Sequence, residues 1–276
     1  SYATFGVDLL DAERVGGLVR DTRPDAVFHL AAQAAVQVAW SDRGRTLINN
    51  VLAQMYLTEA LLAANLRPRM LVVGSADEYG LVRPEELPVK ETNPLRPNSP
   101  YAVSKIGQDM LAYQYFLTHN LPVVRVRPFN HFGPGQSDLF VAASFAKQIA
   151  EIERGLREPV LFVGNLAAKR DFTDVRDVVR AYWLLLQKGT PGEVYNLGSG
   201  RSLAIGDLLE RLLALSDARI AVRADPARLR PSDIPELVCD YRKAETEVGW
   251  RPAIPLEQTL RDLLEYWRER TGVGGG

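Results

Sequence analysis

A doubly wound parallel α/β sheet is the fold that the first half of this sequence predicts, and three observations predict it. Short apolar segments alternate with longer amphipathic ones, so strand and helix follow each other in cycles. Parallel neighbours need a crossover, and the intervening segments are suited to supply helical ones. The polar residues Gln33, Ser75 and Asn130 stand just after predicted strands, where sheets of this kind bind ligands, outside the carboxyl ends of the strands.

The elements follow in order. A strand is expected to end near Asp8, and a helix to run from Asp11 to Arg20. Arg23-Pro24-Asp25 then turns the chain into the buried strand Ala26 to Leu30. The stretch from Thr46 to Asn65 carries Leu47, Val51, Met55 and Leu62 at spacings suited to a long helix, and Arg69 to Ser75 is a short apolar strand. A proline-rich loop from Pro84 to Pro100 leads into a helix over Tyr101 to Asn120 and a valine-rich strand over Pro122 to Arg127.

Beyond Asn130 the rhythm changes. Helices are expected over Leu139 to Arg154, Val175 to Gln187, Ile205 to Leu215 and Leu256 to Arg270, with strands over Val160 to Val163 and Glu193 to Leu197. This mixed pattern predicts a smaller, discontinuous α+β lobe. The division expected is 1–129 with 172–197 for the parallel-sheet domain and 130–171 with 198–276 for the lobe.

Composition excludes several classes of function. The 276 residues are 46% hydrophobic and 24% charged, enough to bury the core of one domain or two closely packed ones. With 33 basic against 34 acidic residues the net charge is -1, which gives no global field toward nucleic acid or an anionic membrane. Cys239 is the single cysteine, so no intrachain disulfide forms and a reducing, cytoplasmic setting is expected. No apolar run approaches the roughly 20 residues that span a bilayer, and no secretory signal is visible at Ser1 to Gly6. Three scattered histidines make no metal site.

Tyr101-Ala102-Val103-Ser104-Lys105 places a phenol and an ammonium one helical turn apart on the same face. A cation there favours tyrosinate and lowers the phenol pKa from its usual value of about 10. Such a tyrosine can donate and recover a proton, which suits interconversion of a carbonyl and an alcohol. The Ser75 hydroxyl, at the end of a strand, is available to the same substrate oxygen.

These residues carry a resemblance. His29-Leu30-Ala31-Ala32-Gln33, Gly74-Ser75 before Glu78-Tyr79-Gly80, Ser99-Pro100-Tyr101 through Lys105, and Arg127-Pro128-Phe129-Asn130 resemble the extended short-chain dehydrogenase/reductases, across nearly the whole chain. Within that group, the run Phe129 to Gln136, the run Lys169 to Asp177 and Leu229-Arg230-Pro231-Ser232-Asp233 are most similar to GDP-6-deoxy-4-keto-mannose reductases, close relatives of GDP-mannose 4,6-dehydratases.

The resemblance implies a Rossmann-type domain binding NADP or NAD and a lobe binding a nucleotide sugar, the nucleotide being GDP. It implies a catalytic set of Ser75, Tyr101 and Lys105. It implies a cofactor lining of Asp8, Ala31, Ala32, Gln33, Asn50, Tyr101, Lys105 and Pro128. Asp77, Asn130, Lys147, Arg170 and Arg230 are implied at the nucleotide sugar, the two arginines as partners of the diphosphate. A homodimer through the two long helices is implied as well.

Plainer roles stand beside these. Arg170 and Arg230 suit surface ion pairs, Asn130 a turn cap, Asn50 a bridge between backbone groups, and Asp8 a cap on the first helix. His29 and His131 read as packing or hydrogen-bonding residues, and Trp183, Trp250 and Trp267 as core.

The chain departs from the family in one respect. Extended members open on a strand and a Gly-x-x-Gly-x-x-Gly turn that receives the cofactor pyrophosphate, and that opening is absent here. Sequence upstream of Ser1 is therefore expected, since without the central first strand the sheet is left with unpaired backbone. The choice between NAD and NADP is lost with that segment.

Three functions follow: reduction of the C4 ketone of a GDP-4-keto-6-deoxyhexose, dehydration of GDP-mannose by the same residues, and nucleotide binding without catalysis. The dehydratase needs a further acid-base pair. The carboxylate two residues after the Ser/Thr of similar dehydratases is a glutamate, here the shorter Asp77, and Ala76 stands where a polar residue is usual. Reduction is the function expected.

Overall fold

The computed structural model describes residues 2–229 and 234–272. Residues 2–8 run without a sheet partner among the described residues, so the strand expected near Asp8 does not form. Helix α1 (Ala12–Thr22) follows, and Asp11 caps it by accepting the N–H of Arg14 at 3.0 Å. Strand β1 (Ala26–His29) leads through α2 (Val36–Ser41), which the sequence reading did not foresee, into a helical rod. The expected single helix over Thr46 to Asn65 is three pieces: α3 (Arg43–Leu47), a π turn (Ile48–Leu52) and α4 (Ala53–Ala63). The π turn widens the rod at Asn50, a kind of bulge that clusters at functional sites.

Strand β2 (Arg69–Val73) precedes α5 (Pro100–His119). Pro100 opens this helix, where a missing N–H costs nothing, Ser99 caps it by accepting from Ala102 N at 3.1 Å, and Asn120 ends it at φ 52°. Next come β3 (Val123–Pro128), β4 (Asn130–Phe132), α6 (Val141–Glu153), β5 (Val160–Val163) and β6 (Lys169–Asp174). Then α7 (Val175–Lys188), β7 (Val194–Leu197), β8 (Ser202–Ala204), α8 (Ile205–Leu213), β9 (Ala221–Ala224), α9 (Arg242–Val248) and α10 (Leu256–Gly272) complete the chain.

The main sheet is parallel, in the order β1-β2-β3-β7. Successive side chains of β2 point to opposite faces. Met70 and Val72 pack with Ala112 and Tyr115 of α5, while Leu71 faces Val178, Ala181 and Leu185 of α7. Helices thus cover both faces, as expected of a doubly wound sheet. Two small sheets, β4-β6-β8 and β5-β9, build the rest, around a core of Phe132, Phe145, Leu161, Leu208 and Leu263. Strand β6 crosses the expected boundary at residue 171/172 and so belongs to both sides of it.

Two aromatic expectations part company. Trp250 is fully buried in the core, but Trp183 is 55% exposed and stacks on Phe28 at 6.4 Å between centroids. Phe28 belongs to β1, so Trp183 leans on the edge strand of the main sheet while staying open to solvent.

Candidate active site

The strand order places the candidate residues in a row. Gln33 follows β1, Ser75 follows β2 and Asn130 follows β3, and neighbouring strands lie about 4.8 Å apart. Two clefts flank the middle position. One, of about 690 Å³, is lined by Asp8, Ala31, Ala32, Gln33, Arg45 and Asn49. The other, of about 700 Å³, gathers Asn130, Lys147, Arg170, Arg228 and, from α2, Gln37.

Between them stands Ser75, the cap of a short 3-10 turn over Ala76–Glu78. Its hydroxyl accepts from Asp77 N at 3.1 Å, and its own N–H donates to Glu78 Oε1 at 2.8 Å, a reciprocal capping box. The box fixes the Ser75 side chain, which hydrogen-bonds the buried hydroxyl of Tyr101 at the start of α5. Burial first, and then the charge of Asp77, raise the Tyr101 pKa above the ordinary phenol value, and the Ser75 hydrogen bond offsets only part of this. The hydroxyl is therefore protonated at neutral pH.

Lys105 does not tune Tyr101 in the expected way. Its ammonium donates to Val73 O at 2.5 Å and Gln108 Oε1 at 2.7 Å. Burial pulls the Lys105 pKa down to about 8. An ammonium has three donors, so one remains beyond the two used here.

The residues of the first cleft fit a nicotinamide dinucleotide. Gln33 Oε1 is buried and accepts no hydrogen bond, so a donor is wanted there. Asn50, fully buried, holds the Gln33 backbone from both sides, accepting from its N–H at 2.7 Å and donating to its carbonyl at 3.1 Å. It also donates to Ser104 Oγ at 2.8 Å, which ties the cleft to α5. The bridging role that stood as its plainer reading is thus the means by which it shapes the cleft. Asp8 is exposed at the rim, where its carboxylate accepts from Leu10 N at 2.9 Å. Pro128 ends β3 opposite Leu197, buried and outside the cleft lining.

The second cleft brings together Asn130, Lys147 and Arg170. Asn130 opens β4, paired with Phe172, and is not a turn cap. Lys147, on α6, pairs with Asp138 at 2.6 Å, and that hydrogen bond raises its pKa. Arg170 is 7% exposed, donating to the carbonyls of Lys169 at 2.8 Å and Ile234 at 2.6 Å, so it is buried and not at the surface. Asp77 sits at the Ser75 turn outside both linings, and Arg230 lies outside the described residues. Sequence reasoning missed Arg228 and Gln37; Arg228 shares its short basic loop with Arg230, which was the available signal.

His29 is buried and His131 half-buried, and both are hydrogen-bonded, as expected. His29 faces Gln108 Nε2 at 3.3 Å and its pKa falls to about 4 through burial and the charge of Lys105; His131 Nδ1 meets Phe129 O at 3.0 Å. No group of metal-binding side chains is found among the described residues, and no helix among them is long and apolar enough to cross a membrane.

Comparison with known proteins places this arrangement. The family model for GDP-mannose 4,6 dehydratase matches residues 1–263. The chain belongs to that family. It is one of the extended short-chain dehydrogenase/reductases, as the motifs implied. The chain is 40% identical to the GDP-6-deoxy-D-mannose reductase of Pseudomonas aeruginosa over 263 residues, 95% of this chain and 86% of that one. It is 28% identical to the GDP-mannose 4,6-dehydratase of Yersinia enterocolitica, over 93% of this chain and 76% of that one. The solved structure of RMD from Pseudomonas aeruginosa complexed with NADPH superposes with a TM-score of 0.92 at 38% identity, covering 98% of this chain and 90% of that chain. The family match spans both clefts and the Ser75, Tyr101 and Lys105 cluster.

Proposed function

We propose that the protein reduces the C4 ketone of a GDP-linked 4-keto-6-deoxyhexose, drawing on NADPH or NADH. The observation that carries this is the row of Gln33, Ser75 and Asn130 at neighbouring strand ends, which sets a protonated Tyr101 between two clefts, in a chain 40% identical to a GDP-6-deoxy-D-mannose reductase.

A reduced nicotinamide in the first cleft would supply a hydride. The protein's own part is to bind, orient and protonate. Ser75 donates its hydroxyl hydrogen to the C4 oxygen, and Tyr101 passes its proton to the same oxygen as charge builds there, so the ketone leaves as a secondary alcohol. The remaining donor of Lys105 is available to a ribose hydroxyl or to the resulting phenolate. Asn50 keeps Gln33 in place at the cofactor, as its two backbone hydrogen bonds allow. Lys147 and Arg170 receive the diphosphate, Asn130 the sugar side, and Arg230 joins them from the sequence motif.

Dehydration fits less well. It asks for an acid-base pair beside Ser75, but Ala76 is apolar and buried, and Asp77 is the only carboxylate at the position where dehydratases carry glutamate.

The residues of 1–129 with 172–197 would hold the cofactor and those of 130–171 with 198–276 the nucleotide sugar, in keeping with the second cleft, which draws only Gln37 from the first half. The working form is a homodimer in the cytoplasm. Val103, Met110 and Leu117 repeat every seven residues on α5 and are exposed, next to exposed Leu47 and Ile48 on the neighbouring rod, an apolar stripe suited to a second copy. A monomer by light scattering would remove the dimer. Formation of a 4-keto product from GDP-mannose without added reduced cofactor would replace reduction with dehydration.

A further inference from the structure

Behind Ser75 lies a polar cluster that the chemistry above does not use. Glu78, Asp109, Arg127 and Arg125 are all buried, Glu78 completely. Asp109 accepts from Arg125 Nη1 at 2.9 Å, from Arg127 Nε at 2.9 Å and from Arg127 Nη2. One carboxylate therefore answers two guanidinium groups.

Glu78 enters this cluster from the Ser75 turn. Its Oε1 accepts the N–H of Ser75, as described above. Its Oε2 lies 2.9 Å from Arg127 Nε, yet it accepts no hydrogen bond. The single hydrogen on Nε is aimed at Asp109 Oδ2 instead. A buried carboxylate oxygen with nothing to accept is costly. A proton on that oxygen removes the deficit, because Asp109 is within hydrogen-bonding reach as its acceptor.

The groups that face Glu78 bear on the proton. Burial acts most strongly, and the charge of Asp109 on α5 acts in the same direction, both holding the carboxyl well above the usual carboxylate range. Arg127 on β3 acts against them but less strongly, and Lys105 on α5 also feels the Glu78 charge. The room for this carboxyl is provided by Gly74, where a Cβ would come within 2.3 Å of Glu78 Oε1 and 3.0 Å of Val126 O.

We propose that Glu78 is a positioning residue of the reduction: a neutral carboxylic acid that shares one proton with Asp109 and holds the Ser75 backbone, so that the Ser75 hydroxyl stays on Tyr101. The proposal rests on the reductase function above. Neutrality matters to the chemistry as well as to the fold. Proton transfer leaves Tyr101 as a phenolate, and a charged Glu78 would oppose that charge, as its effect on Tyr101 already indicates.

Glutamine has the shape and hydrogen-bonding pattern of the protonated acid: its oxygen accepts from Ser75 and its N–H donates to Asp109. Two measurements on the cofactor-bound protein test the idea. The infrared difference spectrum of wild type minus Glu78→Gln at neutral pH is expected to contain the carbonyl stretch of a protonated carboxylic acid. Glu78→Ala is expected to lower kcat about tenfold or more with KM for the nucleotide sugar nearly unchanged, and Glu78→Gln to return kcat to within about threefold of wild type.

The alkaline loss of activity should begin at lower pH in wild type than in Glu78→Gln, which has no proton to lose. A carboxylate band in place of the acid band, or a Glu78→Gln enzyme as slow as Glu78→Ala, would overturn the proposal. If Glu78→Ala does not fold, the band and the Glu78→Gln rates decide alone. If wild type turns over no 4-keto sugar, the reductase function fails while the band still reports on the proton.

Discussion

Asn50 grips the backbone of Gln33 from both sides, accepting its N–H at 2.7 Å and donating to its carbonyl at 3.1 Å, across the space between the π turn and the end of β1. Helix geometry alone would not hold Gln33 at the rim of the cleft. Asn50→Ala leaves both backbone groups and Ser104 Oγ without these partners, a loss of roughly 1 to 3 kcal/mol for each buried group left unsatisfied. The expected result is about tenfold weaker NADPH binding by fluorescence titration, alongside a lower Tm. An unchanged dissociation constant with a lowered Tm would confine Asn50 to stability.

Lys105 gives a pH prediction with a definite sign. Its folded pKa of about 8 lies below the unbound value of 10.5, so between these values the unfolded chain binds more protons than the folded one. Stability of the cofactor-free protein therefore rises as pH increases through this window, by roughly 3 kcal/mol if the full difference is realised. Lys105→Met should flatten that rise in Tm measured from pH 8 upward. A wild type and a variant with the same slope would contradict it.

Lys147 lines the second cleft from a half-exposed pairing with Asp138, with Glu151 Oε1 at 3.8 Å and the Trp267 ring centroid 5.6 Å from its ammonium. Lys147→Ala should raise KM for the GDP sugar about tenfold while leaving kcat within about twofold, the pattern of lost ground-state binding. Steady-state kinetics with the 4-keto substrate read both numbers. A fall in kcat at constant KM would move Lys147 from the phosphates to the reacting centre.

Gly80 follows the Ser75 turn at φ +56°, and a Cβ there would meet Arg96 O at 1.8 Å. Gly80→Ala combines left-handed strain with a backbone clash and should cost on the order of 3 kcal/mol or more. Chemical denaturation would show it as a lower midpoint; a midpoint within error of wild type would mean that the turn relaxes.

Much of this was legible in the chain because the signals are local. Alternating apolar runs located β1, β2, β3 and β7, and Ser99-Pro100 marked the start of α5. Ser75, Tyr101 and Lys105 were legible because a strand end and one helical turn fix their spacing. What escaped depends on contacts distant in sequence. Strands β4, β8 and β9 have three or four residues each and exist only through their partners. Asn50 on the π turn meets Gln33 in the loop after β1 and Ser104 on α5, and Lys105 donates to the carbonyl of Val73 on β2, contacts between elements far apart in sequence. Trp183 stays open to solvent because its partner, Phe28 on the edge strand β1, is itself exposed, a pairing between elements far apart in sequence.

The central claim is tested most directly by following NADPH and NADH oxidation by the full-length protein, offered GDP-4-keto-6-deoxymannose and its dTDP counterpart in parallel with Tyr101→Phe. Selective turnover of the GDP substrate is expected, with Tyr101→Phe slowed by about a hundredfold or more while still binding the sugar nucleotide. Turnover by Tyr101→Phe at nearly the wild-type rate, or oxidation of neither cofactor by a wild type that binds both ligands, would contradict it.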